Sequence, residues 1–126
     1  MIGAVWFALI VHYPIFLRFT KEQFSSLEKF HLRRALFLTI PVMLIEAITA
    51  LLLLWQFHGK GIFLANVILL GLIWAITFGV CLPRHFRLSK GFTAPVFQQL
   101  VQYHLFRVIL WTIRGVLLFF AAQSFQ

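Results

Sequence analysis

Negative charge is what this chain has least of. Its 126 residues include three acidic side chains, Glu22, Glu28 and Glu46, against 11 lysines and arginines, and charged residues of both signs make up only 11%. A soluble domain carries about 25% charged residues. With 62% hydrophobic residues and a mean hydropathy of +0.95, the composition excludes that class and indicates a membrane protein. Cysteine is nearly absent too: the single Cys81 excludes an intramolecular disulfide and any cysteine-based metal motif, and it reads as a small buried apolar residue. No glycine-rich phosphate loop, no GxSxG and no HExxH occurs, so the corresponding nucleotide, serine-hydrolase and zinc-protease signatures are missing. A formal net charge of +8 would suit nucleic acid, but the basic residues flank apolar runs and form no single patch. Membrane lipids with anionic headgroups are therefore the expected partner, and nucleic acid is not.

What the chain does have is long apolar runs. They predict an all-α fold, an integral membrane four-helix antiparallel bundle forming one transmembrane domain over 1–126, with spans at about 2–18, 35–55, 62–82 and 96–122. No basic residue precedes the first run and no small-residue cleavage site follows it, so a retained membrane helix is expected there, with Pro14 tolerated near its end. Between Arg18 and Arg34, the apolar residues Phe24, Leu27 and Phe30 recur every third position among charges. That pattern predicts an amphipathic interfacial segment over about 20–34 that feeds the second span. Gln56 to Gly61 reads as a tight polar turn and Pro83 to Gly91 as a basic loop. Gly71 and Gly79 offer small faces for close helix approach in the uncharged third span. The phenylalanine-rich aromatic content, 17% of the chain, is read as lipid-facing and packing surface.

Basic residues also set an orientation. Arg18, Lys21, Lys29, Arg33 and Arg34 crowd the first connection and Arg84, Arg87 and Lys90 the third, whereas the second holds only Lys60. The positive-inside rule then puts the first and third connections in the cytoplasm and both termini outside. From that side, Glu46 lies as far beyond Ala35 as Arg114 lies beyond Tyr103, about 16 Å in at ~1.5 Å per residue. A guanidinium at such depth costs about 2.5 to 3.5 kcal/mol unless it is answered, so a structural ion pair of Glu46 with Arg114, or with Arg107, is expected.

The histidines share a level as well. His12, His31, His85 and His104 each fall near the cytoplasmic end of a different span, and only His58 lies at the other end. On the fourth span, Tyr103, His104, Arg107, Trp111 and Arg114 share one helix face. Glu28 and His31 form a Glu-x-x-His pair on one face, the kind of element from which a helix bundle builds a metal site. Candidate metal ligands are therefore His12, Glu28, His31 and His85. Candidate cofactor-binding residues are His12, His85, His104 and Arg107, with a metal ion or a haem held between two imidazoles as the open alternatives.

The pieces His12-Tyr13-Pro14-x-Phe16, Pro41-x-Met43 with Glu46, Trp74, Pro83-x-His85, and Arg107 with Trp111 and Arg114 resemble a widespread, largely uncharacterised family of small bacterial integral membrane proteins with four spans. The resemblance covers most of the chain and implies a bacterial inner (cytoplasmic) membrane location but no established reaction. Two departures from the family pattern stand out: Glu28 stands where a further histidine is expected, and Tyr103 and His104 stand where Asn-Trp usually precedes the fourth-span arginine.

Two functions of different class follow. In one, the bundle binds a metal, haem or quinone-like ligand in a polar, histidine-rich site at its cytoplasmic-side end, as a small membrane oxidoreductase or carrier. In the other, it is a non-catalytic accessory or assembly subunit of a larger membrane complex, and the polar residues pin helices and headgroups. Convergence of the histidines favours the first, and small size favours the second.

Overall fold

The apolar runs fold into α-helix throughout the computed structural model, which describes residues 1–58 and 60–124. The described residues form four helices and no strand: α1 (Ile2–Phe16), α2 (Lys21–Gln56), α3 (Gly61–Lys90) and α4 (Ala94–Gln123). Gly59, part of the expected turn after α2, lies outside the described residues, as do Phe125 and Gln126. Successive helices are joined by short turns and run antiparallel, as an all-α bundle must when its connections are this brief. Three helices, α2, α3 and α4, are long and apolar enough to cross a membrane. Helix α1 is shorter: its Ile2–Phe16 extent reaches only about 22 Å at ~1.5 Å per residue, less than the ~30 Å of a hydrocarbon core.

Two expected boundaries differ. The interfacial segment over 20–34 is not a separate element but the first turns of α2, which runs unbroken for 36 residues. The reason lies at its start, where Thr20 Oγ1 accepts from the Gln23 backbone N–H and the Thr20 N–H donates to Gln23 Oε1. This reciprocal cap satisfies two otherwise orphaned donors, and Glu22 in the first turn suits the positive end of the helix dipole. Nothing afterwards stops the helix, since Pro41 is carried within it. Likewise the expected basic loop at Pro83 is helical, and α3 continues to Lys90.

Prolines explain two wide turns. Inside an α-helix a proline ring collides with the carbonyl four residues back and lacks the N–H to bond it. Just before Pro14 the helix widens over Ala8–His12, where the Tyr13 N–H reaches back to the Ala8 carbonyl, and just before Pro83 it widens over Thr77–Cys81, where the Leu82 N–H reaches Thr77. Each adds one residue to a turn and moves the offending carbonyl aside, so both helices pass their prolines. Such π-turns occur often at functional sites.

Helices α3 and α4 form the centre of the packing, with α1 lying against α4 and α2 against α3. The buried α4 residues Phe97, Leu100, His104, Arg107, Val108, Trp111 and Arg114 recur every three or four positions, which draws one stripe down a helix. Two apolar clusters form on this stripe. One joins Phe97 and Leu100 to Tyr13, Phe16, Phe24, Cys81 and Leu88; the other joins Val108 and Trp111 to Val5, Ala50, Leu70 and Ile73. His104 and Arg107 fall between them along α4. The glycines of α3 are not the close approaches expected of them: a methyl group at Gly71 or Gly79 would meet open space, whereas one at Gly115 of α4 would fall 2.3 Å from Ile2 Cδ1 of α1. The glycine that a neighbouring helix covers is therefore at the α1–α4 seam, where Trp6 Nε1 also donates to Thr112 Oγ1 at 3.1 Å.

Removing the Thr20 cap tests why α2 starts where it does. Thr20→Ala is expected to cost about 1 kcal/mol by thermal unfolding in detergent, and Thr20→Asp is expected to restore most of it. Equal stability of all three proteins would contradict the assignment.

Candidate functional site

Each helix brings one imidazole to the end of the bundle where α1 joins α2 and α3 joins α4. His12 closes the wide turn of α1, His31 lies in the early turns of α2, His85 follows Pro83 in α3, and His104 sits in the α4 stripe. Their rings converge. Ring centroids are 4.1 Å apart for His12 and His31 and 6.0 Å for His31 and His85, and Tyr13 stands edge-on to His104 at 4.9 Å. These side chains and Arg107 line a cavity of about 350 Å³ that extends to Phe7 of α1 and Leu38 of α2. A smaller space of about 80 Å³ beside it shares His31, His85 and Arg107.

Hydrogen bonds set the polar atoms that this cavity presents. Glu28, 2% exposed, accepts from His85 Nδ1, so Nε2 is the remaining polar atom of that ring. His104 Nε2 donates to the Val5 carbonyl at 2.9 Å, which leaves Nδ1 as an acceptor; Arg107 NH1 lies 3.5 Å from it. Arg107 is buried, at 8% exposure, and its Nε has no hydrogen-bond partner. Among the described residues no carboxylate pairs with it: the salt bridges are Glu28 with His85 and Glu46 with Arg114 and the Met1 amino group.

The candidate metal set His12, Glu28, His31 and His85 is brought together but not arranged as a cage. Among the described residues no three His, Cys, Asp or Glu side chains are grouped to hold an ion. The His12 and His31 rings pack against each other with centroids 4.1 Å apart and their planes tilted by 38°. Glu28 is already engaged by His85. The acceptor left on His104 faces a guanidinium, where a second cation would be repelled.

Deeper along α4, Arg114 donates through NH1 to Glu46 Oε2 at 3.0 Å and through Nε to Asn66 Oδ1 at 2.8 Å. Arg107 makes no such contact with Glu46. The guanidinium of Arg114 also lies 5.1 Å from the Trp111 ring centroid, a cation–π contact. Asn66, wholly buried, is a partner that sequence reasoning missed. The available signal was an amide inside an apolar run, which must be bonded if it is buried. Tyr13 was likewise read only as part of a motif, yet it packs between His85 and His104. A larger groove of about 470 Å³ between the end of α1 and the start of α4 carries no charged side chain and presents an apolar outer surface.

Fold and site together define a helical membrane bundle with an imidazole-lined cavity that borders a buried arginine. No family model, no curated protein and no solved structure matches the chain, so its chemistry is read from its own geometry.

The Glu46–Arg114 contact is open to a double-mutant cycle. Glu46→Gln is expected to cost about 3 kcal/mol, because it strands a guanidinium that is 7% exposed. Arg114→Gln in the same background should recover part of that loss. Unfolding free energies that simply add would contradict a direct pair.

Proposed function

We propose that this chain is a small inner-membrane protein of bacterial type that binds an amphipathic ligand with an oxygen-bearing head at the cytoplasmic end of its bundle. The observation that carries this reading is the cavity itself. Four imidazoles and a guanidinium from four helices meet in one space, whereas the residues that extend it outward, Phe7 and Leu38, are apolar. Polar groups that fix a head beside apolar walls that take a body are the ordinary composition of a small-molecule site. Excess basic residues in the connections at that end support a cytoplasmic placement with both termini outside. The family resemblance agrees with an inner-membrane location.

Among the ligand classes open to such a site, the geometry favours an organic head over a bare ion. N–H groups of His12, His31 and Arg107 can donate to carbonyl or hydroxyl oxygens without converging on a single point, as the ligands of an ion must. Binding is the function proposed. The arrangement supplies hydrogen bonds and orientation for a head group, and a proton acceptor in the His85–Glu28 pair.

A second reading, as an accessory subunit, draws on α2, whose most apolar stretch is only 11% buried and whose Phe37 and Trp55 are 83% and 80% exposed. Lipid or a neighbouring subunit covers that face in the membrane. Titration separates the readings. A decyl-substituted benzoquinone added to the protein in uncharged detergent should bind saturably and raise its unfolding temperature, and His31→Ala should weaken binding about tenfold, the equivalent of one lost hydrogen bond. No saturable binding, together with co-purification of a stoichiometric membrane partner, would overturn the ligand reading and favour the subunit.

A further inference from the structure

The head group that this cavity selects carries a negative charge. We infer this from the inventory of acids, and the inference rests on the ligand-site reading above. The chain has three acidic side chains, and each is accounted for. Glu22 is exposed in the first turn of α2, Glu28 is bonded to His85, and Glu46 is bonded to Arg114. None of the three lies within ion-pairing distance of Arg107, which lines both the main cavity and the smaller space beside it.

A buried guanidinium without a counter-charge is expensive, and chains keep one only where water, protein or a ligand answers it. His104 Nδ1 stands 3.5 Å from NH1, a weak contact by geometry, and Nε is unbonded. Planar N–H groups in a fork suit the two oxygens of a carboxylate or phosphate. A second cation stands at the rim, where Arg34 lies over the Phe30 ring at 4.4 Å. The occupant is therefore a molecule with an anionic head and an apolar tail. That head is the carboxylate of a fatty-acid-like amphiphile or the phosphodiester of an acidic lipid. Arg107 bonds its oxygens, and the tail leaves between α1 and α2 past Phe7 and Leu38.

Equilibrium binding of four probes to the protein in uncharged detergent tests this: dodecanoate, dodecan-1-ol, short-chain phosphatidylglycerol and the decyl benzoquinone. At least one anionic probe should bind about tenfold or more tightly than the alcohol and the neutral quinone, the effect of one charge-assisted hydrogen bond, and whichever anion binds better identifies the source of the head. Arg107→Gln should abolish the preference, Arg107→Lys should keep part of it, and Arg87→Gln, which removes an exposed charge, should leave it intact. Equal binding of charged and neutral probes, or a preference lost in Arg87→Gln, would overturn the anionic head and leave the cavity reading standing. Binding of no probe would overturn both. If Arg107→Gln does not fold, the wild-type preference together with Arg107→Lys and Arg87→Gln still decides.

Discussion

A buried charge must be answered, and this bundle is arranged around how few acids are available to do it. Two arginines lie on the inner stripe of α4, both less than one-tenth exposed. Arg114 is answered by Glu46 and Asn66 from two different helices, and those contacts tie α2 and α3 to α4 at one level. Arg107 is not answered in that way. It lies along α4 between two apolar clusters, where imidazoles from four helices line the cavity. The difference between the two arginines is the difference between a structural pair and a site.

Backbone irregularities serve the same end of the molecule. The wide turns before Pro14 and Pro83 finish at His12 and Cys81 and hand the chain on to Tyr13 and His85. A regular helix would rotate each of these residues by part of a turn relative to what precedes it. The prolines therefore do more than interrupt: the extra residue that accommodates each ring resets which side chains face the interior, and the resulting contacts of Tyr13 with His85 and His104 close one wall of the cavity.

Much of this was legible from spacing alone. Depth along a helix is a matter of counting, so the common level of His12, His31, His85 and His104 and the matched depths of Glu46 and Arg114 could be read without coordinates. Contacts between helices could not. That the acid beside His31 in sequence bonds His85 of another helix, and that Asn66 joins the arginine, depends on how α2, α3 and α4 rotate about their axes, which apolar runs with weak amphipathicity leave open. Boundaries were misread for a related reason. Pro83 and the charges near Arg18 look like interruptions in a hydropathy pattern, but a wide turn and a capping box carry the helices through, and neither device changes composition. Glycine misled similarly: Gly71 and Gly79 sit in the most apolar span, yet the close approach is at Gly115, where a short helix lies directly on α4.

The central claim is that Arg107 is neutralised by a bound molecule and not by the protein. An experimental structure of the protein extracted together with its native lipids tests it most directly. The account requires non-protein density in the cavity with an oxygen about 2.7 to 2.9 Å from the Arg107 guanidinium and an apolar tail running out past Phe7 and Leu38. A guanidinium bonded to a protein carboxylate, or a cavity closed by repacked side chains with no guest, would contradict it.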